Sequence, residues 1–158
     1  MQTTTPERMA MLRVAYDTIT GLADHGVDIV RAVSVLATAP ATAGRLVPDE
    51  TIFAATIFSI ATGIERVAGR TEPHPTAAFP AMSDAPQHLV TEAVLEAAAR
   101  LDEIGADPQE AAILFAMAAT HLVLQQDGDP VAVASYLRAI LAEADADRLA
   151  ATAPAVLH

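Results

Sequence analysis

Two stretches of the chain are apolar almost all the way round a helical wheel, Thr51–Ile64 (TIFAATIFSIATGI) and Ala111–Leu124 (AAILFAMAATHLVL). Neither carries a formal charge at neutral pH, and the second holds one titratable group, His121. A helix without a polar side is the pattern of an element enclosed by others. The remaining helical patterns have a polar side and read as a layer around these two. Leu12, Ala15, Tyr16, Ile19, Leu22 and Ala23 form a stripe over Pro6–Asp24, stopped by Gly26. Val90, Val94, Ala97, Leu101 and Ile104 form another over Pro86–Ile104, and Val133, Leu137, Ile140, Leu141 and Ala144 a third over Val131–Ala144. Val27–Thr38 is rich in β-branched residues and compatible with a strand. No second strand candidate exists to pair with it, so Ile29, Val30, Val33 and Leu36 predict a short helix capped by Asp28.

Proline punctuates these elements. Pro6, Pro48, Pro86, Pro108 and Pro130 each stand where a helix should begin, a position at which the missing N–H costs nothing. Gly105-Ala106-Asp107-Pro108 supplies a helix stop, a spacer, an N-cap and a new start in succession, and Asp127-Gly128-Asp129-Pro130 turns the chain again. Connections this short predict antiparallel neighbours among the last three helices. Pro40–Val47 reads as a loop, 70–85 as an irregular proline-rich crossover loop, and 152–158 as a frayed tail. Pro48-Asp49-Glu50 and Pro108-Gln109-Glu110 each open an uncharged run. The flanking helices do not repeat in the same order, so shared helix-start chemistry explains that likeness better than duplication. The expectation is therefore all-α: a single domain over 1–158, a bundle of about six helices with 51–64 and 111–124 buried at its centre.

Composition sharpens this picture. At 158 residues, a single domain buries roughly 70% of the surface its unfolded chain exposes. Trp and Cys are absent and only Tyr and Phe supply aromatics, so the core must be built from Ala, Val, Ile and Leu. A net charge of −11 with the basic residues scattered argues against a nucleic-acid partner and against an anionic membrane surface. Each uncharged run is shorter than the about twenty residues needed to cross a bilayer. The N-terminal MQTTTPERMAM has no apolar core of a secretory signal, which places the expected location in the cytoplasm. The basic residues are all Arg, consistent with a GC-rich bacterial source.

Candidate chemistry is sparse. The absence of Lys removes the phosphate-loop lysine and Schiff-base chemistry, no G-x-G or G-x-S-x-G occurs, and no Glu is followed three residues later by His as in di-iron bundles. His121 shares a wheel side with Leu114, Met117, Ala118 and Leu124 and should face other helices. There it is either a core histidine bonded to a neighbouring carbonyl or part of a ligand pocket with Met117, Leu114 and Phe115; a haem could use such an imidazole. His88, Glu92 and Glu96 line up at one-turn spacing on the outside of their helix as a weak metal candidate, with Arg100 continuing the row to neutralise it. His74, Phe79 and Met82 mark the 70–85 loop as a partner-binding segment or as a strap pinned to the bundle. The leading functional expectation is a non-enzymatic interaction or adaptor protein that associates with itself, with no cofactor; the alternative is a small-molecule binder, for haem or a lipid-like ligand, beside His121.

Overall fold

The computed structural model describes residues 4–45, 47–68, 87–125 and 129–152, with side chains up to Glu143. It contains the helices α1 (Thr5–Asp24), α2 (Ile29–Thr42), α3 (Glu50–Ala68), α4 (Gln87–Glu103), α5 (Pro108–Gln125) and α6 (Pro130–Thr152), and no strand among the described residues. The all-α bundle expected from periodicity is what the chain forms. The crossover loop and the end of the tail lie outside the described residues.

Five of the six helix starts have a local cause, while Pro86, expected to open α4, lies outside the described residues. Thr4 caps α1 in a capping box: its backbone N–H donates to Glu7 Oε2 at 2.7 Å while the Glu7 N–H donates to its hydroxyl. Asp28 accepts from Arg31 N–H at 2.9 Å at the head of α2, which settles the β-branched segment as helix. Asp49 accepts from Thr51 and Ile52, so α3 is capped by the aspartate and Pro48 sits just outside rather than at the first helical position. Pro108 and Pro130 do open α5 and α6. Two boundaries differ from expectation. α6 runs on beyond Ala144 to Thr152. α2 continues through Pro40 to Thr42, because Pro40 falls in the last turn and deletes one backbone bond there, while its ring is buried in the core.

The deepest helix is α2, which buries Val30, Ala32, Val33, Val35, Leu36, Ala37, Ala39, Pro40 and Ala41 and packs on α1, α3, α4 and α5. α5 lies beside it. α1 and α4 cover one side of this pair and run antiparallel to each other, with Asp17 bridged to Arg100 at 3.0 Å and Leu22 packed near Val90 and Val94. α3 covers the other side and carries α6 on its flank. α3 and α5 run in the same direction, since Ile52 clusters with Ala112 at one end and Gly63 meets Thr120 at the other. The expected antiparallel sheaf of the last three helices does not form: α4 packs on α1 and α2, and α6 on α3. A short turn fixes only where two helix ends meet; the apolar faces decide where each helix lies down.

One corner is used twice. At the end of α1, Gly26 (φ 70°) lets Val27 N–H reach back to the Leu22 carbonyl at 3.0 Å before Asp28 caps α2. At the end of α4, Gly105 (φ 65°) lets Ala106 N–H reach the Leu101 carbonyl at 3.0 Å before Asp107 and Pro108. The helices that follow bury matching positions, Ala32 with Ala111, Val35 with Leu114, Leu36 with Phe115, Ala37 with Ala116 and Ala39 with Ala118. The internal likeness therefore relates α1–α2 to α4–α5, a pairing different from the one suggested by the proline starts.

Candidate interaction surface

The uncharged helices are not enclosed on all sides. α5 buries Ala111, Ala112, Leu114, Phe115, Ala116, Ala118, Ala119 and Val123, which leaves Ile113, Met117 and His121 outward at successive one-turn steps. α3 buries Ile52, Thr56, Ile57, Ile60, Ala61 and Ile64, and leaves Thr51, Ala55, Phe58 and Ser59 outward. Ile113 and Met117 are each 62% exposed and Phe58 54%. Between the two helices runs a groove of about 240 Å³, lined by Thr51, Ile52, Ala55, Thr56, Ser59, Gln109, Ala112 and Ile113.

Three hydroxyls of this face are satisfied within their own helices. Thr56 donates to the Ile52 carbonyl at 2.7 Å, Ser59 to Ala55 at 2.9 Å and Thr120 to Ala116 at 2.8 Å. Covering the face therefore strands none of these donors, and its desolvation is cheap for a surface of nominally polar residues. The helices approach closely at Gly63, where a side chain would meet Thr120 Cγ2 and Oγ1 at 3.1 and 3.2 Å. Charge returns at the ends and along the α6 edge of α3. Arg8 pairs with Glu110 at 3.1 Å. Arg138 holds both oxygens of Glu65 at 3.0 and 2.9 Å, donates to Thr62 at 3.1 Å and lies 4.8 Å over the Phe58 ring. Hydrogen bonding from Arg138 holds the Glu65 carboxyl below its ordinary value.

The expected pocket around His121 is not formed. Leu114 and Phe115 point into the core, while Met117 and His121 point to solvent, so the four residues cannot line one cavity. The wheel side that grouped them straddles the boundary of the buried face, and a helix with no charged flank gives no sign of where that boundary falls. The enclosed imidazole that the haem alternative requires is thus not what α5 presents.

The row His88, Glu92 and Glu96 is exposed on α4. Glu92 and Glu96, together with Asp17, Gly21, His25 and Arg100, border a cleft of about 210 Å³ between α1 and α4. Arg100 is spent on Asp17 rather than on the glutamates. His25 donates from Nδ1 to the Gly21 carbonyl at 2.7 Å, closing the last turn of α1. Among the described residues no group of three His, Asp or Glu side chains is placed to hold a metal. His74, Phe79 and Met82 lie outside the described residues.

α3, 19 residues with an 18-residue stretch of mean hydropathy 1.3, is long and apolar enough to cross a membrane, which the shorter uncharged run is not. Its packing against α2, α5 and α6 gives that apolarity a core role on the buried side. Compared with protein-family models, with curated proteins and with solved structures, the chain gives no match.

Proposed function

We propose that the protein is a non-enzymatic helical interaction module that docks a protein partner through the α3/α5 face. One observation carries this reading: in a chain of net charge −11, the neighbouring helices α3 and α5 hold no Asp, Glu, Lys or Arg from Thr51 to Ile64 or from Ala111 to Leu124, expose Phe58, Ile113 and Met117, and leave between them a groove bordered by Ile113. Exposed apolar side chains such as Ile113 and Met117, one turn apart on α5, mark association sites when they gather on one face. The test compares complexes retained from cell extract by the tagged wild type, by Ile113→Asp and by Leu95→Asp, the last altering an equally exposed apolar residue on α4. A complex kept by wild type and Leu95→Asp but lost by Ile113→Asp is expected. The same complexes on all three proteins would refute the assignment.

Small-molecule binding, the second reading, is favoured by the α1/α4 cleft rather than by His121. Its carboxylates at Glu92 and Glu96 beside the Asp17–Arg100 pair suit a small cationic ligand. Such a ligand should raise the melting temperature of the wild type and not of Glu92→Gln/Glu96→Gln; equal shifts in both would remove this reading.

A further inference from the structure

We infer that the α1/α4 cleft binds a small alkylguanidinium cation on Glu96, where the internal likeness of the chain calls for a second copy of the Arg100 side chain. The inference rests on the cationic-ligand reading of that cleft and names the class of ligand. Leu22 with Leu101, Gly26 with Gly105 and Asp28 with Asp107 stand at one constant spacing, and the same spacing pairs Asp17 with Glu96 and Gly21 with Arg100. α3 and α6 extend the likeness. Asp49 accepts from Thr51 N–H at 2.9 Å and Asp129 from Val131 N–H at 3.0 Å, and Phe58 and Arg138, equally far beyond these caps, meet at 4.8 Å.

Equivalent helices that lie antiparallel, as α1 and α4 do, form a two-fold contact, in which each residue pair has a counterpart between the equivalents of its two members. Asp17 holds Arg100 at 3.0 Å. The counterpart across the local axis would join Glu96 to position 21, one turn further along both helices. Position 21 is a glycine with no atom within 4 Å of an added Cβ, and Glu96 has no ion-pair partner among the described residues. All four positions border the same cleft. One half of the contact therefore displays, in Arg100, the cation that the other half is shaped to receive from solution.

The surroundings select the kind of cation. Glu92 stands one turn from Glu96 on the same border, and two carboxylates at that spacing repel unless a cation lies between them. A guanidinium offers N–H donors in a planar fork that matches carboxylate oxygens, whereas an ammonium is a compact point charge. Leu22, Val27, Leu89 and Ala93 supply apolar surface for a short alkyl chain, and the cleft's volume of about 210 Å³ has room for one. Among the described residues no aromatic ring lines the cleft, which removes the cage that quaternary ammonium groups prefer.

NMR titration of the full chain with butylguanidinium, read at the backbone amides of α1 and α4, tests the inference. Binding in the millimolar range is expected, as befits a small cation on exposed carboxylates. Glu96→Gln should weaken it by about fivefold or more. Gly21→Arg supplies the second guanidinium from within the chain, where space is open, and should weaken it at least as much. Thr20→Arg, which puts the same charge on an exposed position outside the cleft, and Glu143→Gln on α6 should each change it by less than about twofold. No binding by the wild type would overturn the inference and the cationic-ligand reading together. Binding that Gly21→Arg leaves intact would overturn the inference, while the melting test on Glu92→Gln/Glu96→Gln would still decide the broader reading. Butylammonium bound as tightly as butylguanidinium would overturn the guanidinium assignment and leave only a site for positive charge.

Discussion

The crossing of α3 over α5 permits a quantitative test at Gly63. Alanine there should help the helix by about 1 kcal/mol, the usual penalty of an interior glycine. Against this stands Thr120, whose Cγ2 and Oγ1 would lie 3.1 and 3.2 Å from the new Cβ. Those two atoms fill two of the three staggered positions around the Thr120 Cβ, so any rotation of χ1 leaves at least one of them facing Gly63. The hydroxyl is also tied to the Ala116 carbonyl at 2.8 Å. The helices must therefore separate by a few tenths of an ångström, and overpacking of this kind costs about 1–3 kcal/mol. Gly63→Ala should thus be net destabilising by about 1 kcal/mol, lowering the melting temperature by about 2–4 °C for a chain of this length. Thr120→Ala removes both obstructing atoms, and in that background the same substitution should stabilise by about 1 kcal/mol. The coupling between the two changes would then be about 2 kcal/mol, within the range measured for residues in contact. Urea denaturation followed by circular dichroism on the four proteins reads it directly. Stabilisation by Gly63→Ala alone, or additivity within about 0.5 kcal/mol, would show that the close approach is not there.

Other expectations follow from single residues. Gly105→Ala should cost about 1–2 kcal/mol in thermal or urea unfolding, all of it conformational, because its φ is 65° and no atom lies within 4 Å of the added Cβ. Asp28→Ala should cost about 1 kcal/mol through loss of the α2 cap, and Asp28→Asn should restore much of it. His121→Leu should leave stability within about 0.5 kcal/mol of wild type, as befits an exposed position. Glu65 should titrate below the ordinary glutamate value by NMR and return to it in Arg138→Gln. Because the folded value is the lower one, the pair's stabilising contribution is complete above about pH 4.5 and is lost as pH falls through the folded value.

The fold class was legible because periodicity and caps agree at most elements. Asp28 with no partner strand was enough to call Val27–Thr38 helical, and the Gly105–Pro108 corner forms as its residues require. Pro40 misled, since a proline that ends most helices can sit in a last turn whose remaining bonds survive. The site was far less legible. Thr51–Ile64 and Ala111–Leu124 read as enclosed because each lacks a polar side, yet both carry an exposed face in the structure. Their sequences contain no charge whose position would mark which residues face water. Hence Met117 and His121 were grouped with Leu114 on the wheel although the true boundary of the core passes between them. The α1/α4 cleft is a tertiary feature of two helices far apart in sequence, and neither helix signals it alone.

The placement of α3 has a consequence for a chain that is broken. By sequence α3 belongs to the first half, but it packs against α5 and α6 of the second, just as α2 packs against α4 and α5. A cut anywhere between Ala68 and Gln87 would therefore leave every helix contact described above in place. The nicked protein should elute as one species, and its two fragments should part only in denaturant. Produced separately, fragment 1–68 would expose the α2 core and fragment 87–158 would leave α6 without its bed, so neither should fold alone. Mixing them would turn folding into a binding reaction, giving a split protein whose reconstitution can be followed by helix content.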